Sequence, residues 1–232
     1  MKKIGMIVAV EIAAVTKRYE GMLNDASIPG YDIKLLRTDD YELYIVNSGA
    51  VEIASSSAAQ LLISRFGVQM IVNFGVVGGL TPEMAVAKLA VVTNVVHYDY
   101  DVSEYIGYRK AQYANYPSVY IPTTAALVDA ALEVEPSLKP VICASGDKFI
   151  GNPDRKAALH TEYKADICEM EAAGIVLTCN RNGVPCLLIK AVSDSLGGGA
   201  EEFAVEFERC ADICLETMDK IIRSEKLADI IG

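Results

Sequence analysis

The chain has 232 residues, 52 % of them apolar, and a net charge of −10 at pH 7. That length suits one α/β domain with a large core, and scattered Lys and Arg outnumbered by acids exclude a nucleic-acid binder built on basic clusters. No apolar run reaches the ~18–20 residues that cross a bilayer, so a soluble, cytoplasmic protein without a membrane partner is expected.

In chain order, the first element is the apolar run 4–10, IGMIVAV, of strand composition. It ends at Glu11, which breaks the run too early for a signal peptide, and no small-residue cleavage site follows. An acid at the mouth of a buried strand reads either as a catalyst or as the first solvated residue of a helix. The next three residues, Ile12, Ala13 and Ala14, supply no second acid. TDDYELYIVNSG, with its strand core at 44–47, has the pattern of a hairpin strand, and 53–66 has helical period. A strand at 70–74 then runs into NFGVVGGL, where Gly75, Gly78 and Gly79 permit a sharp turn or close backbone approach to a ligand. Neither G-x-G-x-x-G nor a P-loop lysine is present.

Beyond a strand at 89–96, the stretch 98–122 carries seven of the twelve tyrosines, including Tyr105, and suits an interface or ligand wall, or a surface loop held by aromatic packing. A helix at 124–132 and a strand at 141–144 precede ICEMEAAGIV, where an apolar strand passes into a helix at 171–180. Glu169 and Glu171 flank Met170; if the chain is still extended there, both acids share a face. The helix dipole would account for one of them. The strand 186–192 delivers Ser193 and Asp194 at its carboxyl end, ahead of three glycines. Asp194 could cap a helix, but the final apolar stripe (Phe203, Phe207, Cys210, Cys214, Met218, Ile221) starts too late, which favours a functional carboxylate.

Strands alternating with helices, plus one hairpin, predict an α/β fold: a single domain over 1–232 with a central mixed sheet flanked by helices in three layers. The six cysteines form no C-x-x-C pair and lie mostly in apolar runs, so buried reduced thiols are expected. With two histidines and no ligand cluster, no metal or redox cofactor is implied.

NFGVVGGLTP, SGDKFIGN, EMEAAGI and KAVSDSLGGG, in that order and spacing, resemble the purine nucleoside phosphorylase/uridine phosphorylase superfamily, and within it the bacterial 5′-methylthioadenosine/S-adenosylhomocysteine nucleosidases. The resemblance spans essentially the whole chain. It implies a nucleoside phosphorylase-like fold and hydrolysis of a purine nucleoside, with Asp194 as general acid toward the purine and Ser193 orienting it. It also implies Glu171 on the ribose hydroxyls beside Glu169, Met170 against the sugar, Phe149 stacked on the base and backbone at Ile150 reading its edge. Val102 would line the base pocket, Gly78 and Val76 would lie near the ribose, and Tyr105 would reach a neighbouring subunit of a homodimer.

The same resemblance places the water-activating acid at Ala13, leaving Glu11 as a candidate substitute two residues early. It also expects Ser at Val76, Arg at Lys190, Gly-Asp at Ala87-Lys88 and Lys at Glu52. Two alternatives follow: a phosphorylase of the same fold, or a nucleoside-binding protein weakened in catalysis by the loss at Ala13.

Overall fold

Strand-length apolar runs and amphipathic segments form the elements of the computed structural model, which describes residues 1–105 and 107–230. In chain order they are β1 (Lys2–Val8), α1 (Ile12–Arg18), β2 (Leu23–Asp25), β3 (Asp32–Arg37), β4 (Tyr41–Asn47) and α2 (Glu52–Leu61). There follow β5 (Met70–Gly79), β6 (Leu89–His97), β7 (Ile121–Pro122), α3 (Ala125–Val134), β8 (Lys139–Ser145) and α4 (Pro153–Tyr163). The chain continues through β9 (Ile167–Glu169), α5 (Ala172–Asn182), β10 (Cys186–Asp194), α6 (Ala200–Ile222) and α7 (Glu225–Ile230). The helix expected over 53–66 is α2 plus a π-helical turn, Leu62–Phe66, closed by Gly67 in the left-handed region at φ 66°.

The sheet is mixed, in the order β10-β6-β8-β9-β5-β1-β4-β3-β2. β1 lies parallel between β4 and β5, while β3 and β4 form the antiparallel hairpin read from the sequence. The period-2 alternation of β1 sorts its side chains into two apolar layers. Ile4, Met6 and Val8 pack with α3 and α6, whereas Ile7 packs with α2 and α5. The three-layer expectation therefore holds, with one addition. β10 also pairs with β5, so β5, β10, β6, β8 and β9 close into a ring.

The stripe on α6 faces this sheet as its spacing requires: Cys210 Sγ lies 3.2 Å from the Val192 carbonyl and Cys214 Sγ 3.2 Å from that of Ile189. All six cysteines are buried and unpaired.

The close approach of α2 and α5 depends on Gly174. A Cβ there would stand 2.5 Å from the Glu52 carbonyl oxygen and 2.9 Å from Ser55 Oγ. Gly174→Ala should therefore lower stability by ~1–3 kcal/mol through overpacking, seen in urea unfolding as a lower midpoint with an unchanged slope.

Candidate active site

Strand ends collect the chemistry. The carboxyl ends of the parallel strands β1, β5 and β10, with the end of β9, converge on one cleft of about 680 Å³, its open mouth included. Its lining includes Glu11, Val76, Gly78, Phe149, Ile150, Glu169, Met170, Glu171, Ser193 and Asp194, ten of the sequence-predicted site residues. The other two lie elsewhere in their own chain. Val102 sits half-buried in the tyrosine-rich loop, and Tyr105 is 73 % exposed, its ring edge-on to Tyr108.

Glu11 answers the ambiguity of the first strand. It stands at the N-cap of α1, yet its side chain caps nothing there. Only 3 % exposed, it turns toward β5: Oε1 accepts from the Val76 amide at 2.9 Å, and Oε2 from the Val10 amide at 3.0 Å. Gly75 leaves the room, since a Cβ there would come within 2.8 Å of Glu11 Oε1. Ala13 is exposed on α1 and faces a separate groove against α6, beside Phe207 and Glu208. At this junction the carboxylate that lines the cleft is that of Glu11, while Ala13 lines the neighbouring groove, two helical residues or about 200° further round the chain.

Glu169 and Glu171 divide between the two readings of their motif. Glu169 is bound to the start of α5: Oε2 accepts from the amides of Glu171 at 3.1 Å and Ala172 at 2.9 Å, and receives Lys190 Nζ at 3.3 Å. Glu171 lines the cleft, with Oε1 accepting from the Val51 amide at 2.9 Å. Burial, and then the charge of Glu169, push the Glu171 carboxyl up to about 7. Lys190 is 2 % exposed; burial works against its charge, but Glu169, Glu171 and Glu11 outweigh it and hold the ammonium firmly protonated.

Asp194 is 2 % exposed and is no helix cap. Its Oδ2 receives Lys156 Nζ at 2.5 Å, and Ser193 Oγ lies 3.1 Å from Oδ1. Lys156, wholly buried on α4, also donates to the Ser195 carbonyl at 2.6 Å. Gly78 is needed beside them, since a Cβ there would meet Cys168 Sγ at 3.1 Å and Asp194 Oδ2 at 3.2 Å. Glu202 fixes the glycine-rich loop by accepting from the Ser195 amide at 2.5 Å. On the outer wall Phe149 is 49 % exposed and meets Phe203 edge-to-face at 5.5 Å, a free aromatic face at the mouth of the cleft.

Sequence reasoning missed Lys156, whose helix is otherwise polar and reads as a solvated surface. It also placed Phe203 in a core stripe, whereas the ring is only partly buried and forms a wall of the cleft.

The phosphorylase superfamily model matches residues 12–224. The chain belongs to this superfamily. It is 34 % identical to the 5′-methylthioadenosine/S-adenosylhomocysteine nucleosidase of Shewanella halifaxensis, over 83 % of this chain and 86 % of that one. It is 30 % identical to the aminodeoxyfutalosine nucleosidase of Campylobacter jejuni, over 78 % and 82 %. Among solved structures, a futalosine hydrolase mutant of Helicobacter pylori superposes with a TM-score of 0.90 at 25 % identity, covering 96 % of this chain and 99 % of that one. With these relatives the chain is an enzyme, a nucleosidase.

The Lys156–Asp194 pair makes a testable demand on stability. Lys156→Met leaves a buried carboxylate unpaired and should cost ~3–5 kcal/mol. Combining it with Asp194→Asn, which removes both charges, should recover part of that loss in denaturant unfolding.

Proposed function

We propose that the protein hydrolyses the N-glycosidic bond of a 5′-substituted purine nucleoside of the methylthioadenosine or S-adenosylhomocysteine type, working as a cytoplasmic homodimer. The carrying observation is that buried carboxyl groups from separate strands converge on one cleft with an aromatic face at its mouth. Glu11 docks at Gly75–Val76 and Asp194 at Gly78, so two to three residues of β5, roughly 7–10 Å of strand, separate them. That spacing leaves room for a sugar and an attacking water between an acid and a base, as in inverting glycoside hydrolysis.

In this mechanism the purine stacks on Phe149, and its edge meets backbone at Ile150. Asp194, oriented by Lys156 and Ser193, protonates the leaving base. Glu171 accepts from the ribose hydroxyls, and the carboxylates around the sugar favour its oxocarbenium-like charge. Glu11, held by two backbone amides, takes the proton of the attacking water. Exposed Tyr105 and Tyr108 supply the aromatic surface of the homodimer.

Phosphorolysis is disfavoured by the same charges. Among the described residues lining the cleft the one cation is Lys148, tied to Asp99 at 2.7 Å, while Glu11 and Glu171 would face the phosphate. Purine release from methylthioadenosine should therefore proceed without phosphate, and dependence on added phosphate would overturn the hydrolytic reading. Aminodeoxyfutalosine, assayed in parallel, ranks the two substrate types. Glu11→Gln should reduce kcat by ~10²–10⁴-fold, whereas Ala13→Glu, pointing away from the cleft, should leave the rate unchanged.

The raised Glu171 carboxyl sets a pH trend. Below about 7 it is largely protonated and a poorer acceptor for ribose hydroxyls. KM for the nucleoside should fall as pH rises through 7, and a KM flat from pH 5.5 to 8 would count against this role.

A further inference from the structure

One buried acid has no part in that mechanism. Glu52 opens α2 and is 7 % exposed, yet it behaves unlike a helix-start carboxylate facing solvent. Its Oε1 lies 2.5 Å from Ser145 Oγ, at the end of β8, and its Oε2 accepts from the Gly174 amide of α5. Its own amide donates to Asp147 Oδ1 at 2.8 Å. Glu52 thus ties the start of α2 to the end of β8 and the turn after it, and to α5.

Ser145 makes the proton count decisive. Its Oγ is also 2.6 Å from Glu169 Oε1 and accepts from the Ala173 amide at 3.1 Å. A hydroxyl has one hydrogen, so it donates to only one of two carboxyl oxygens. The other short contact needs a proton carried by the second acid. Glu169 already receives Lys190 and two backbone amides on Oε2, the surroundings of a carboxylate anion. Among the described residues Glu52 pairs with no cation, and it faces that anion, so the proton belongs on Glu52, which donates to Ser145 Oγ while Ser145 donates to Glu169.

What this clamp holds is the residue just before it. Val51 has φ 78°, ψ 160°, a positive-φ backbone that glycine adopts freely and a β-branched residue adopts only under strain. In that conformation its amide points at Glu171 Oε1, 2.9 Å away. The strained peptide persists because the next residue is fixed at both backbone and side chain.

We propose that Glu52 is a positioning residue for Glu171, acting as a neutral acid that bridges through Ser145 to Glu169 and so holds the Val51 amide on the Glu171 carboxyl. The proposal rests on the reading of Glu171 as the ribose-binding acid. Burial, and then the charge of Glu169, raise the Glu52 carboxyl to about 8, in keeping with a retained proton. The other charged or titratable groups around it are Glu171 at the α5 cap, Asp147 after β8, Cys143 on β8 and Tyr113 in the tyrosine-rich loop. Lys190 on β10 compensates Glu169, and His97 on β6 is kept neutral by burial. Above pH 8, ionised Glu52 opposes Glu169, the bridge loses its proton and Val51 is released.

The test compares wild type, Glu52→Gln and Glu52→Ala in purine release from methylthioadenosine between pH 6 and 9.5, and in thermal unfolding of the ligand-free protein. The amide of Gln reproduces the donor and acceptor of the neutral acid. Glu52→Gln should therefore keep KM within ~3-fold of wild type at pH 7.5 and abolish the rise in KM expected of wild type above pH 8, while Glu52→Ala should raise KM at least ~10-fold.

Unfolding provides an arm independent of activity. A carboxyl raised from about 4.5 unfolded to about 8 folded stabilises fully below 4.5, and that contribution is lost as pH rises toward 8. Wild type should lose Tm relative to Glu52→Gln over that window, and the difference should level off above it. Parallel KM and Tm profiles for wild type and Glu52→Gln would overturn the proposal even if Glu52→Ala fails to fold. If no variant releases purine but the Tm profiles diverge, the buried proton stands and the reading of the site as a nucleosidase fails. That outcome also overturns Glu52's role in positioning a ribose acid.

Discussion

One ammonium group sets the terms for the whole site. Lys190 lies inside the sheet midway along β10, and its field reaches Glu169, Glu171 and Glu11. Burial alone would work against the charge of this lysine, and buried carboxylates gathered without a cation would repel one another. Together they hold an arrangement neither could hold alone. Glu169 approaches the ammonium most closely and remains to anchor α5, while Glu11 and Glu171 turn their oxygens to backbone amides and the cleft. A single positive charge cannot neutralise every acid gathered there. The surplus negative potential faces the place where a sugar would gain positive charge, and it is also why the remaining acid, Glu52, keeps its proton.

Such an arrangement costs stability, because each buried charge gives up water and unpaired surplus is not repaid. The fold carries that cost through the layers around it. β1 feeds alternate side chains into two apolar clusters, and β5 and β10 run buried along nearly their full length. The closed ring of five strands also fixes the strand ends relative to one another, so Gly75 and Gly78 can bring carboxyl oxygens close to backbone. The second buried pair, Lys156 with Asp194, sits at the other side of the ring mouth and ties α4 to the glycine-rich loop.

The legible part of this site follows a simple pattern. Glu169, Glu171, Ser193 and Asp194 sit at ends of apolar strands, next to small residues, so a local stretch of sequence displays both the chemistry and the reason for its placement. The sheet, its hairpin and the α6 stripe were legible for the same reason: period-2 and period-3.6 patterns are local. Lys156 and Glu52 are not legible, because each looks like an ordinary helical charge until the fold brings a carboxylate or a serine against it from residues 38 and 93 positions away. Short β2 and β7 were likewise missed, since strands of two or three residues carry too little pattern to separate from loop, whereas β9 was legible through the apolar stretch ahead of Glu169.

The first strand shows where position counting fails. The family resemblance puts an acid at Ala13, but here α1 begins at Ile12, and Ala13 lines the groove against α6 rather than the cleft. Glu11 is the last residue before that helix starts. With φ −86° and ψ 18° it belongs neither to the strand nor to the helix, and this bend lets its side chain turn back toward the Val76 amide. The position that can serve the cleft is therefore set by where the helix starts, not by the number of residues from the strand. A bulky apolar pair at Val10 and Ile12 leaves Glu11 as the one side chain of this junction able to accept those amides.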